Sequence, residues 1–410
     1  MPGGGLAAAD TITEDDVIRL AQARDPRAAL AREDVAIARA EELRASLYPD
    51  PSLAWSREHV PGGGADAGRE DTFEIRVPID VSGRRAAGRA RARSEVAGAE
   101  AVAARARSEA VAAALLVFYD ALAAQRRAEI AGQAVARLDE AARVLGRRHE
   151  QGTASGYERT RLELEAELAR SELRQAEARA QGARAELALV LGIDLPAGLP
   201  AGLPAGPNEI VLGGSLEISA PGSGAPAPAG ALPDDVTRSR SAGLLQRSVA
   251  EARDARAHAR RAWIPLLSVS GGLRVADAGE TRYGYAAGLS LDLPLFSRGR
   301  DTRAEAQARE RLALARARAA EQNLRRDLLR AQQELVVARE ELGRFAEATH
   351  ERLALLERAA ESGYREGQRS LVELLDAQRA RTAVDLRRLE LELAARRAEV
   401  ALRAARGELE

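Results

Sequence analysis

Between Tyr283 and Leu293 the chain reads Tyr-Gly-Tyr-Ala-Ala-Gly-Leu-Ser-Leu-Asp-Leu. Tyr283, Tyr285, Ala287, Leu289, Leu291 and Leu293 fall on one side of an extended strand. Gly284, Ala286, Gly288, Ser290 and Asp292 fall on the other. A period of two with one apolar and one polar side marks a half-buried strand. Just upstream, Leu267, Val269 and Leu273 alternate with Ser268, Ser270 and Arg274 in the same way. Far from this pair, Phe73, Ile75, Val77 and Ile79 alternate with Glu74 and Arg76, opposite a weaker segment holding Leu53 and Trp55.

The pattern predicts four strands, over about 51–58, 71–79, 265–274 and 283–293. Each is about the length a tilted strand needs to cross a bilayer. Trp55, Trp263, Tyr283 and Tyr285 lie at or near strand ends, where aromatic girdles sit. The joining segments, 59–70 and 275–282, are rich in Gly and charge, as extracellular loops tend to be. Four strands cannot close a barrel, and lipid does not tolerate an open edge. Three chains giving four strands each would make a closed barrel of about twelve, wide enough for a lumen. A homotrimer is the expectation.

The same plan occurs twice. Asp15-Asp16-Val17 is echoed by Asp234-Asp235-Val236, Pro49 by Pro265, Pro78 by Pro294 and Gly83-Arg84 by Gly299-Arg300. Gly152 with Ser155 returns as Gly367 with Ser370. Each copy reads helix, strand, strand, very long helix, tight turn, helix. The first covers 13–192, with its long helix over about 82–150 and a return helix over 155–191. The second covers 234–408, with helices over about 301–362 and 370–406. A Pro/Gly-rich linker, 193–233, joins them, and its composition forms no packed core. Residues 1–12 read as a disordered tail or the remnant of a signal peptide, since Leu6-Ala7-Ala8-Ala9-Asp10 resembles a cleavage region.

Helices of this length would reach roughly 90–100 Å at about 1.5 Å per residue. Val111, Leu115, Phe118 and Leu122, then Leu138, Ala141 and Leu145, recur at helical spacing, as do Leu371, Leu374, Leu386, Leu389 and Leu393. That is coiled-coil packing, in which Ala permits close backbones. Arg84, Arg85, Arg89, Arg91 and Arg93 open one long helix; Arg298, Arg300, Arg303, Arg309 and Arg311 open the other. Cations there oppose the helix dipole, so partners are expected: outer-membrane lipid phosphates, or Glu four residues away.

Composition agrees. Of 410 residues, 30% are charged and only 3% aromatic, which favours long helices over compact cores. The net charge of -1 gives no drive towards nucleic acid. Absence of Cys excludes disulfides, thiolate metal sites and a cysteine nucleophile. No apolar run is long enough for a transmembrane helix. His59, His149, His258 and His350 sit in no metal or triad motif, and no nucleophile elbow exists, so neither enzyme chemistry nor a cofactor is expected.

Three segments carry a family resemblance: Val77-Pro78-Ile79-Asp80-Val81-Ser82-Gly83-Arg84-Arg85-Ala86, Leu293-Pro294-Leu295-Phe296-Ser297-Arg298-Gly299-Arg300, and the run from Tyr364 to Gln378 through Gly367, Ser370 and Leu371. The chain resembles the TolC family of outer-membrane efflux proteins, most closely the cobalt–zinc–cadmium resistance type. The resemblance implies a TolC-like α/β channel-tunnel, mainly α with a membrane β-barrel, in the outer membrane with its helical tunnel in the periplasm. It implies a periplasmic adaptor protein contacting the turns at Gly152, Ser155, Gly367, Ser370 and Leu371. It also implies an inner-membrane pump of the resistance-nodulation-division type and a passive efflux duct, heavy-metal cations being the cargo of that branch. Tyr364 and Arg369 would form a periplasmic gate with Tyr157 and Glu158, and Glu373 and Asp376 would form acidic rings in the lumen. This chain has Glu at 158 and 373 where Asp is usual. An elongated soluble coiled-coil scaffold accounts for the helices but not for the strands.

Overall fold

The computed structural model of the chain describes residues 11–60, 68–150, 155–193, 212–216, 239–277 and 280–409. Among them are seven α-helices and four strands. Thr13 opens α1 (Glu14–Arg24) with a capping box closed by Asp16. The helix stops at Asp25, whose extended backbone (ψ 126) is what a following proline imposes. Pro26 then begins α2 (Pro26–Ser46), so the single opening helix expected from periodicity is two.

Strands β1 (Ser52–Val60), β2 (Gly68–Ile79), β3 (Leu266–Asp277) and β4 (Thr281–Asp292) form one antiparallel sheet in the order β1-β2-β3-β4. All four strands run longer than the alternation predicts. β4 gains Thr281 and Arg282 but stops at Asp292 rather than Leu293, because its partner β3 begins at Leu266, which lies opposite Asp292. Among the described residues β1 and β4 are edges.

After each hairpin comes a long helix: α3 (Arg84–Glu150) after β2 and α6 (Arg300–Arg365) after β4. Return helices α4 (Gly156–Val190) and α7 (Leu371–Ala405) follow, and α5 (Arg240–Ala259) leads into β3. No described helix is long and apolar enough to cross a membrane. The return helices end alike. Gly192 and Gly407 take positive φ (61° and 73°), and the residue after each donates back three positions inside the helix: Ile193 to Ala188 (2.9 Å) and Glu408 to Arg403 (3.0 Å). This glycine cap is a further repeat mark that the sequence reading did not use.

The chain divides into two compact units, each drawing on both repeats. One contains α2, the sheet, α5 and the strand-proximal parts of α3 and α6. Its helical core is small, Val249 and Ala252 of α5 against Ala313 and Ala317 of α6. There Ser94 and Ser248 each donate to the other's carbonyl at 2.9 Å, a contact that small residues alone permit.

The other unit holds α1, α4, α7 and the remainder of α3 and α6. Its largest core gathers Val111, Leu115, Phe118 and Leu122 with Leu187, Leu191, Leu389 and Val400. From the linker, residues 212–216 are described: Leu212 bridges Ile12 in parallel, and Gly213 donates to Ile12 (2.9 Å). Here the Tyr119 hydroxyl donates to Glu14 (2.6 Å), and Arg403 pairs with the same carboxylate. Burial alone would raise the Glu14 carboxyl, but these two donors hold it below its usual range.

Candidate functional site

Two regions carry the residues singled out by sequence, the sheet and the helix reversals. In the sheet, register places Trp55, Phe73, Leu273 and Tyr285 in one row across all four strands. Rows below it on the same face are Leu53–Ile75–Gly271–Ala287, Val77–Val269–Leu289 and Ile79–Leu267–Leu291. Arg76–Ser270–Gly288 and Thr72–Arg274–Gly284 lie on the opposite face. Nothing among the described residues covers the apolar face: Tyr283 is 81% exposed, Tyr285 90% and Leu289 77%. A surface of this extent, organised by pleat, marks an interaction with lipid or protein.

The apolar side ends in a polar cluster. Asp71 accepts from Arg57 Nε (2.7 Å) and from Trp55 Nε1 (3.1 Å), while the Arg57 guanidinium lies 5.2 Å from the Trp55 ring centre. An amphipathic Trp held at the rim of an apolar band is the arrangement of a membrane interface.

The Arg-rich helix starts find most of their partners inside the chain. Arg84 donates to the Ala262 carbonyl (3.0 Å), and Arg85 bonds the Ser46 carbonyl and stacks on Tyr48 (3.5 Å). Arg93 faces Glu42 (3.5 Å), and Arg309 pairs with Glu305 (2.7 Å) and Glu95 (3.8 Å). Arg300 and Arg303 bond carbonyls of 296–299. Arg84, Arg85, Arg93, Arg300, Arg303 and Arg309 are thus offset by acids and carbonyls of the chain itself.

At the second reversal, α6 ends in a glycine cap. Gly367 (φ 76°) donates to Tyr364 (3.2 Å) and Gln368 to Gly363 (2.8 Å). Ser370 caps α7 and Glu373 returns the bond: Ser370 N donates to Glu373 Oε2 (2.9 Å), and Glu373 N to Ser370 Oγ (3.3 Å). Arg369 Nη1 also donates to Glu373 Oε1 (3.1 Å). The Ser370 donors, then Arg369, hold the Glu373 carboxyl below its usual range. Asp376 lies 3.7 Å from Arg379.

The first reversal has the same cap: Ser155 N donates to Glu158 Oε2 (2.9 Å), and Glu158 N to Ser155 Oγ (3.3 Å). Gly152 lies outside the described residues. Tyr157 is exposed, its hydroxyl accepting from Arg161 (3.3 Å).

Among the described residues of one chain, Tyr364 and Arg369 make no hydrogen bond with Tyr157 or Glu158. Glu158 and Glu373, to which the resemblance gives different roles, occupy the same capping position. Tyr364 is fully buried with Leu138, Leu145, Leu162 and Leu371, and burial pushes its phenol up. The Arg148 guanidinium lies 4.9 Å from its ring centre and donates to its carbonyl (3.3 Å). Arg148 is a tip residue that local pattern does not single out, since Arg147-Arg148-His149 reads as an ordinary basic helix end. Arg379 with Glu165, 214 residues apart, and Arg381 with Glu357 (2.9 Å), across the second reversal, were missed because each pair joins different helices. No group of three or more potential metal ligands occurs among the described residues.

Residues 244–408 match the outer membrane efflux protein family. No curated protein matches the chain in sequence. Solved structures similar in fold include the outer membrane protein VceC from Vibrio cholerae (TM-score 0.70, 16% identity, 96% of each chain). CusC is another (TM-score 0.68, 16% identity, 96% of this chain and 91% of that one). A third is a membrane protein from Pseudomonas aeruginosa (TM-score 0.67, 20% identity, 99% of each chain). At such identities the likeness speaks for the fold. The second repeat thus carries the sequence pattern of outer membrane efflux proteins, and the chain as a whole has the TolC-like fold of solved outer-membrane channels.

Proposed function

We propose that the protein is the outer-membrane channel of a tripartite efflux system, a homotrimeric passive duct whose barrel crosses the membrane and whose helices lie in the periplasm. One observation carries this reading: a four-stranded sheet with two open edges, one face apolar and uncovered, and a row of Trp55, Phe73, Leu273 and Tyr285 across it. Tyr283 to Leu291 covers roughly 27 Å of strand at about 3.3 Å per residue, about 20 Å across a membrane at a tilt of about 40°. A soluble scaffold has no occupant for such a face. Extraction of the full chain from membranes should need detergent and give a particle of three chains by native mass. A water-soluble monomer would overturn the proposal.

The periplasmic tip is the proposed gate and adaptor contact. Tyr157 and the Arg369–Glu373 pair are exposed on it, while Tyr364, Leu371 and Arg148 form its rigid base. Adaptor binding opens a tip only by favouring the open form. Arg369→Ala and Glu158→Ala should each raise basal conductance in planar bilayers; unchanged closed-state conductance in both would refute the gate. The cargo proposal, heavy-metal cations, rests on the motif resemblance, which also implies that Glu373 and Asp376 face a shared lumen, where rings of carboxylate favour cations. Arg369 and Arg379 offset part of that charge. Loss of the gene should lower tolerance to divalent cobalt, zinc or cadmium; unchanged tolerance to all three would refute this cargo.

A further inference from the structure

The two hairpins are repeat mates, and their ends coincide. β1 begins after Pro51 and β3 after Pro265, so Pro51, not Pro49, is the structural mate of Pro265. The last pair of the first hairpin is Ser52↔Arg76, and that of the second is Leu266↔Asp292. Beyond this point the repeats differ. β2 continues through Val77, Pro78 and Ile79, which pair with Val269, Ser268 and Leu267 of β3 and with nothing on β1. Their mates Leu293, Pro294 and Leu295 are not in strand; Leu293 and Leu295 are exposed, and a tight turn joins them (Leu295 N to Leu293 O, 2.8 Å).

The β2–β3 joint is a seam between one repeat and the next. Among the described residues no further strand pairs with the outer edge of β4. We infer that β4 pairs with β1 of a second copy of this chain in the register that β2 uses on β3, and that strand structure extends through Leu295 when it does. Replacing each residue of that seam by its repeat mate fixes the register: Leu295 opposite Leu53, Leu293 opposite Trp55, Asp292 opposite Ser56 and Leu291 opposite Arg57. This rests on the trimeric-barrel reading and adds the seam's alignment to it. Faces agree throughout: Leu291, Leu293 and Leu295 meet the side carrying Leu53 and Trp55, while Asp292 meets Ser56 on the polar side. The added residues lengthen the apolar face of β4 from roughly 20 to roughly 30 Å across the membrane, enough to span an apolar band of about 25 Å. A shift by two residues would preserve the faces, so alternation alone does not set the alignment.

Absence of cysteine makes the test direct. Three double variants of the full chain, Ser56→Cys with Asp292→Cys, with Ser290→Cys or with Pro294→Cys, are purified reduced, checked for native mass, then oxidised. Directly opposite residues lie about 4.5–5.5 Å apart, within disulfide reach. Partners displaced by two residues lie about 7–8 Å apart, beyond it. The Asp292 pair should give roughly tenfold more intersubunit cross-link than either other pair. A trimer that favours Ser290 or Pro294 refutes the register and leaves the assembly standing. Should a trimer form without cross-linking in any pair, the β4–β1 seam itself is wrong. If the Cys-less parent is a monomer, the barrel proposal fails instead.

Discussion

The first repeat hands its hairpin to the long helix through an acid; the second does so through a glycine packed on backbone. In the first, Asp80 accepts from the backbone N–H of Ser82 (2.9 Å), Gly83 (3.0 Å) and Arg85 (2.8 Å), and from the Ser82 hydroxyl (2.8 Å). In the second, the same place is Phe296, 93% exposed, and Arg298 adopts a left-handed φ of 48°. Gly299 there is pressed on Ala262, where an added Cβ would meet the carbonyl carbon at 2.7 Å. At Gly83 the nearest atom would be Arg261 Cδ at 4.0 Å. One repeat meets its orphan helix donors with the Asp80 carboxylate; the other meets them with Ser297, whose hydroxyl accepts from Gly299 N (3.4 Å) and whose carbonyl accepts from Arg300 N (2.9 Å), while Gly299 packs on Ala262. Duplicated sequence therefore need not keep duplicated chemistry.

Replacing these glycines should separate the two solutions most sharply. Both have positive φ, so both substitutions are strained, but Gly299→Ala adds a collision with backbone that cannot turn aside. We expect Gly299→Ala to cost about 2–4 kcal/mol and Gly83→Ala about 1 kcal/mol, read from thermal unfolding of the detergent-solubilised protein by circular dichroism. Equal losses would erase the distinction. Asp80→Ala should cost about 1–2 kcal/mol, and Phe296→Ala far less.

The Asp80 contribution has a definite pH dependence. Burial would raise its carboxyl, yet the Arg85, Ser82 and Gly83 donors hold it below the usual range. A depressed folded pKa stabilises above the unfolded value, about 3.9, and that stabilisation disappears as pH falls through the folded value. Lowering pH from about 5 to about 2 should thus depress the melting temperature of the parent more than that of Asp80→Asn. A parallel fall in both would remove Asp80 from the account.

At the tip the repeats converge, so the prediction there is equality. Ser155→Ala and Ser370→Ala should each lower stability by about 1 kcal/mol, because each removes one cap of identical design. A much larger loss for Ser370 would mean that Arg369, bonded to the same Glu373, is part of the cap. The smallest expected effect is a gain: Arg298→Gly should stabilise by about 0.5–1 kcal/mol, since its φ is one that glycine adopts freely and its carbonyl bond from Arg303 is retained.

Sequence alone determined the element types, the duplication and the two faces of the sheet. Those follow from local periodicities, two in a strand and 3.6 in a helix, and Phe73 or Leu289 declares its side without reference to any distant residue. The serine caps were equally legible, because Ser and Glu three positions apart meet whatever surrounds them. Tertiary structure decided what depends on distant partners. Tyr364 lies buried under Arg148; Glu158 and Glu373, to which the resemblance gives different roles, share one capping position; the Arg-rich helix starts, for which lipid phosphates or Glu four residues away are the expected partners, find carbonyls and carboxylates both nearby and on other helices. Pairing alignment also came only from the fold, which matched Pro51 to Pro265 where the sequence suggested Pro49, because shifting a strand by two residues leaves its alternation unchanged.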